Sequence, residues 1–235
     1  LLGDYRYTLV AANMAAGALI AFTRPSPWAT CAMATFLFTP RALFIMENGW
    51  IEPFAALLLV GTAWAALQRP TWAPYGLGLL LASKQYVILL MASAVLLPVW
   101  PADRDGRLRF AGKALVAAAA VTLPFFLWSP TAFWHSVMEA PAKHPFRSDA
   151  LNFLAWYRQR SGTTLPFWLG FVAAVGASYL AYRRAPRSLA GFAYAFGFIF
   201  LVFIAFNRQA FCNYYYLIIA AMCAAAAFSG RAEEA

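Results

Sequence analysis

Charge is the first thing this sequence is short of. Only 11% of its 235 residues are charged, nine Asp and Glu against eighteen Lys and Arg, while 63% are hydrophobic and the mean hydropathy is +0.63. That composition departs from soluble globular proteins and points to a polytopic membrane protein. Cysteine is scarce as well. Of Cys31, Cys212 and Cys223, the last two are eleven positions apart on one expected helix, or roughly 16 Å by helical rise. They cannot pair with each other, so no disulfide framework is implied. The only histidines are His135 and His144, and no His or Cys cluster has the spacing of a metal site. A divalent metal as cofactor is left open. The formal charge of +9 is spread through short loops without a basic face interleaved with aromatics, which argues against nucleic acid as a partner. Such residues act as topology signals and headgroup contacts instead.

What is abundant is apolar sequence in long runs. Tyr7 to Phe22 reads as a first span, stopped by Arg24-Pro25-Ser26-Pro27. Trp28 to Met46 reads as a second, interrupted at Pro40-Arg41, where a bend or an interfacial helix is expected. Pro53 to Leu67 follows, with Pro in its first turn. Tyr75 to Trp100 is too long for one span and short for two, so the sequence predicts two short helices that reverse near Ser83-Lys84-Gln85. The further expected spans are Phe110 to Trp128, Leu165 to Tyr182, Leu189 to Phe206 and Phe211 to Phe228. The fold expected is all-α: a single transmembrane domain over residues 1–235, with about eight or nine membrane segments. Asp103 to Arg109 with Lys113, and Arg183 to Arg187, read as basic cytoplasmic loops. That polarity puts Glu47, Glu52, Lys84 and the long connection from Ser129 to Thr164 on the extracytoplasmic side. Within that connection, Thr131 to Ala140 and Leu151 to Tyr157 read as helices lying in the headgroup layer. The chain opens at Leu1 with neither Met nor a signal-peptide pattern, as a piece of a longer protein would.

Ionisable side chains set among such runs are candidates for function. Glu47 and Glu52 flank a turn ahead of Pro53, where each is placed to act as a base; both equally suit the start of a helix. Lys84 is a point charge suited to a phosphate, with Gln85 beside it as a second donor, or it snorkels at a helix end. Lys143, His144, Arg147 and Asp149 gather cations and one acid in the long connection, a set that suits an anionic headgroup or diphosphate and also a solvated loop. Asn207, Arg208, Gln209, Asn213 and Tyr214 form a polar and aromatic cluster at a membrane edge. The Arg and amides read as donors to sugar hydroxyls, with Tyr214, Tyr215 and Tyr216 to stack on a sugar ring, or the group reads as an interfacial belt.

Four stretches in this order carry a resemblance: Glu47 to Pro53 opening a span, Gly76 to Gln85 in a short helix pair, Phe146-Arg147-Ser148-Asp149 in the outer connection, and Asn207 to Tyr215. Together they resemble the membrane-embedded glycosyltransferases of the GT-C type, nearest to bacterial mannosyltransferase-like members. The resemblance implies a sugar, mannose-like, taken from a polyprenyl-phosphate carrier and passed to a lipid, glycan or protein acceptor on the extracytoplasmic side of the bacterial inner membrane. It implies that Lys84 and Arg147 contact the carrier phosphate, and that Glu47 or Glu52 belongs to the acidic constellation at the reacting sugar. It also implies a principal catalytic acid in an outer loop that precedes Leu1. Relatives often carry Pro where Tyr86 follows Lys84-Gln85. Two alternatives stand beside this reading: a transporter or flippase of a lipid-linked anion, and a ligase or polymerase of the O-antigen kind.

Overall fold

The computed structural model describes residues 3–143, 145–166 and 168–230, and among these the regular structure is helical throughout. Helix α1 (Arg6–Thr23) is followed by α2 (Pro27–Leu37), which starts where the sequence says it should. Ser26 accepts from the backbone N–H of Ala29 at 3.0 Å and Pro27 fills the first turn. The break at Pro40 is present. Arg41 takes a left-handed backbone (φ 70°), turning the chain into the short helix α3 (Ala42–Glu47). Gly49 (φ 69°) makes the next turn, where a Cβ would overlap the Tyr5 hydroxyl. Helix α4 (Glu52–Gln68) begins two residues after Trp50, with Glu52 and Pro53 in its first turn.

After a 3₁₀ turn at Pro70–Trp72, helix α5 (Ala73–Ser83) stops at Lys84, which is extended (φ −156°, ψ 146°). A twelve-residue 3₁₀ helix, Gln85–Leu96, comes next. Leu77, Leu80 and Leu81 line one small gap with Val87, Leu90 and Met91, so the chain folds back at Lys84 as expected. That the returning arm is 3₁₀ was not expected; runs this long are uncommon.

Helix α6 (Arg104–Trp128) corrects the reading of Asp103 to Arg109 as a loop. Asp103 caps it, accepting from Gly106 N–H at 2.7 Å, and its basic first turns run without a break into the apolar stretch. The connection after it is also more helical than expected. It holds α7 (Pro130–Trp134), a π-helical turn at His135–Glu139, α8 (Ala140–Lys143) and α9 (Phe153–Ser161), the last capped by Asn152. The C-terminal part is α10 (Leu169–Arg184), α11 (Leu189–Ala205) and α12 (Cys212–Ser229).

One apolar core runs from α1 to α12. Helix α11 carries no charge on any face and lies in its middle, against α10, α12 and the 3₁₀ helix. Helices α5 and α6 meet at Gly78, where a Cβ would overlap the Ala114 carbonyl oxygen; only glycine permits that approach. Elsewhere α6 faces outward with Leu115, Val116, Phe125, Leu127 and Trp128, and only 17% of its apolar stretch is buried.

Two helices among the described residues, Arg104–Trp128 and Cys212–Ser229, are long and apolar enough to cross a membrane. Three shorter ones, Glu52–Gln68, Gln85–Leu96 and Leu189–Ala205, are apolar as well. By length and composition, then, two helices meet the requirement that eight or nine segments were expected to meet.

Candidate functional site

Two polar features sit on opposite sides of the first turn of α12. The first is buried. Glu52 has no exposed surface, and its Oε1 accepts from the Asn213 side-chain N–H at 2.6 Å while forming an ion pair with Lys84 Nζ. Three element ends thus meet: the start of α4, the break after α5 and the start of α12. The Lys84 ammonium lies 5.5 Å from the ring centre of Tyr86 and 5.8 Å from that of Tyr214. Tyr86 stacks on Phe200 at 4.8 Å and meets Tyr214 edge-on at 5.4 Å. The cation therefore has a carboxylate on one side and aromatic faces on others, which suits a charge held away from water. The helix-start reading of Glu52 also holds, since an anion in the first turn of α4 complements the helix dipole.

The second feature is a cavity of about 640 Å³. It is lined by Arg41 and Phe44 from the α2–α3 corner, by Trp50, by Arg147, Asp149 and Leu151, and by Phe211, Tyr215 and Tyr216 around the start of α12. Arg147 holds Asp149 through two parallel contacts, Nε to Oδ1 at 3.0 Å and Nη2 to Oδ2 at 2.7 Å, and lies 4.8 Å from the Phe211 ring centre. This contact keeps the Asp149 carboxyl below the ordinary carboxylate range and raises the Arg147 guanidinium further. Arg41 lies 5.7 Å from the Phe44 ring centre. The walls are fastened from behind. Tyr215 donates to the Leu151 carbonyl, the Leu151 N–H to the Ala210 carbonyl at 2.8 Å, the Asn152 side chain to the Asn207 carbonyl at 2.6 Å, and Tyr216 to buried Asn13. A cavity with two guanidiniums, a carboxylate and several rings is equipped for an anion attached to a polyol: arginines take phosphate oxygens and rings stack on a sugar face.

The sequence-predicted residues divide between these features and other places. Glu52, Lys84, Asn213 and Tyr214 come together in the buried cluster, and Arg147 and Asp149 face the cavity. Lys84 does not join Arg147 there, because Glu52 holds it on the other side of α12. Glu47 does not join Glu52; it is exposed at the end of α3. Gln85 is exposed too and donates to the Val137 carbonyl at 3.3 Å rather than sharing an anion with Lys84. Lys143 pairs at 2.7 Å with Glu139, which also meets His135, and the two hold the Glu139 carboxyl below its ordinary range. His144 lies outside the described residues. Asn207 turns its side chain onto the Arg208 N–H at 2.7 Å, and Arg208 and Gln209 are half-buried beside it. Tyr215 and Tyr216, two of the three tyrosines expected to stack on a sugar ring, line the cavity, as do Arg41, Trp50 and Phe211, which the sequence reading does not single out. Pro40-Arg41 was the available signal, a cation at a forced turn. No family model, no curated protein and no solved structure matches the chain.

Proposed function

We propose that the chain is a multi-span helical membrane protein that transfers a mannose-like sugar from a polyprenyl-phosphate carrier to a lipid, glycan or protein acceptor. The reaction is placed on the extracytoplasmic side of a bacterial inner membrane. The observation that carries the reading is the cavity at the start of α12, which Arg41 and Arg147 line together with several aromatic rings, beside a helix of membrane-crossing length. A sugar phosphodiester on a lipid tail presents the chemistry such a space complements: one anion for the guanidiniums, a pyranose face for Tyr215 or Trp50, and a tail for the apolar exterior. In the reaction the acceptor hydroxyl oxygen bonds to the anomeric carbon as the bond from that carbon to the carrier phosphate breaks. The phosphate leaves with the bonding electron pair, and fixed cations stabilise the charge that develops on it.

The test is transfer of labelled mannose from polyprenyl-phosphate mannose by the complete protein in proteoliposomes. Arg147→Ala is expected to lower the rate by about 100-fold or more, with unchanged membrane insertion. Wild-type protein that transfers no hexose from any polyprenyl-phosphate donor would remove the reading. The buried Glu52–Lys84 pair at a helix break favours a second one, movement of a lipid-linked anion across the membrane, since intramembrane ion pairs mark transport paths. Its mark is translocation of the intact donor with no transfer.

A further inference from the structure

Arg147 and Asp149 face one cavity and occupy each other. A guanidinium with two donors on a carboxylate has fewer left for a phosphate, and a carboxylate with both oxygens engaged is a poor acceptor for a proton. We propose that the anionic carrier displaces Asp149 from Arg147, and that the freed Asp149 carboxylate is the base that receives the proton of the acceptor hydroxyl. The assignment rests on the transferase reading above and gives its general base a residue.

Several observations carry it. The two side chains are 49% and 62% exposed, so the pair is a surface pair, which contributes little to the fold and exchanges readily for a stronger anion. Arg147 keeps its place when Asp149 lets go, because its guanidinium rests on the Phe211 ring at 4.8 Å. The backbone on either side is pinned independently: Gln159 donates to the Ser148 carbonyl at 2.9 Å, and the Leu151 N–H to Ala210. The exchange therefore needs only a rotation of the Asp149 side chain. Arg41 also lines the cavity and adds a second cation to it.

Asp149 is also the one carboxylate among the described residues that line the cavity. Glu52 has no exposed surface and Glu47 is not part of the lining. Once the phosphate has taken its place on Arg147, Asp149 loses its cationic partner and gains an anionic neighbour. Both changes raise its proton affinity and make it a better base at the moment substrate is present. The step balances: the acceptor oxygen bonds to the anomeric carbon, the carrier phosphate departs with the electron pair, and the acceptor proton ends on Asp149.

The experiment has a binding arm and a turnover arm, both on the complete protein in nanodiscs. For binding, the probe is polyprenyl phosphate alone. Asp149→Asn is expected to bind it several-fold more tightly than wild type, because the competing carboxylate is gone, and Arg147→Ala to lose binding. For turnover with polyprenyl-phosphate mannose, Asp149→Asn is expected to lower kcat by about 10²–10⁴-fold, without a rise in donor KM, and Asp149→Glu to restore part of it. If the Asp149→Asn variant binds the probe no more tightly than wild type, the exchange is overturned. Near-normal kcat in the same variant overturns the base. Wild type without any transfer, combined with tighter probe binding by the variant, keeps the exchange and removes the transferase reading together with the base.

Discussion

Replacing Lys84 by Met takes the cation away from a carboxylate that has no exposed surface. Glu52 would keep the Asn213 amide on Oε1 at 2.6 Å, while Oε2 has no side-chain or backbone partner among the described residues. A buried charge left without its counter-ion costs about 3–5 kcal/mol. At about 2–4 °C per kcal/mol for a protein of this length, Lys84→Met is expected to lower the melting temperature by about 6–20 °C. Glu52→Gln should cost less, because the Lys84 side chain is 15% exposed, whereas that of Glu52 has no exposure at all. The double variant Glu52→Gln with Lys84→Met removes both charges and keeps an amide in contact with Asn213, so it should recover most of the loss. The measurement is thermal unfolding of the four proteins in one detergent, followed by circular dichroism. Effects of the two single changes that simply add in the double variant would refute the reasoning, because residues in one buried pair must couple.

Gly78→Ala is expected to separate α5 from α6, since its Cβ would overlap the Ala114 carbonyl oxygen; overpacking of this kind costs about 1–3 kcal/mol, measurable as a lower melting temperature, and Gly112→Ala, with open space around it, serves as the contrast. Asn152→Ala removes both the cap on the Ala155 N–H and the bond to the Asn207 carbonyl; a loss of about 1–3 kcal/mol is expected from the two together, with faster hydrogen exchange at the start of α9. Glu139 is held below its ordinary range first by Lys143 and then by His135. A depressed carboxyl stabilises the folded form above its unfolded pKa and loses that contribution as pH falls through the lower folded value. Its NMR titration midpoint should therefore lie below about 4.3 and rise in Lys143→Ala. Trp128, 86% exposed at the end of α6, should be quenched by lipids brominated near the headgroup.

How far the sequence reaches can be judged from particular residues. The bend at Pro40, the reversal at Lys84 and the start of α4 at Glu52-Pro53 were readable because proline geometry and stranded charge act locally. The reading of Asp103 to Arg109 as a loop failed for an equally physical reason. Charge does not break the helix here, because an Asp103 cap lets long basic side chains ride on its first turns. The 3₁₀ character of Gln85–Leu96 was hidden because its apolar residues satisfy several helical periods alike. In the candidate sites, Glu52, Lys84, Asn213, Arg147 and Asp149 were legible as residues, but their grouping was not. The resemblance sets Lys84 beside Arg147 on one phosphate, and the fold gives Lys84 to Glu52 instead. The cavity itself draws its walls from 39–50, 147–151 and 211–219, and nothing local in any of the three announces the other two.

The hairpin at Lys84 has arms of unequal pitch. The eleven residues of α5 rise about 16 Å, whereas the twelve of the 3₁₀ arm rise about 24 Å. A nearly equal count of residues thus covers half as much distance again on the way back, a difference in arm length of roughly 8 Å. Rewinding the return arm as an α-helix would shorten it by about 6 Å with no residue added or removed. The tie between Lys84 and Glu52 fixes the tip of the hairpin, so any such change of gear would appear at the other end, as a shift in depth of Leu97 to Trp100 and of the helix that follows them.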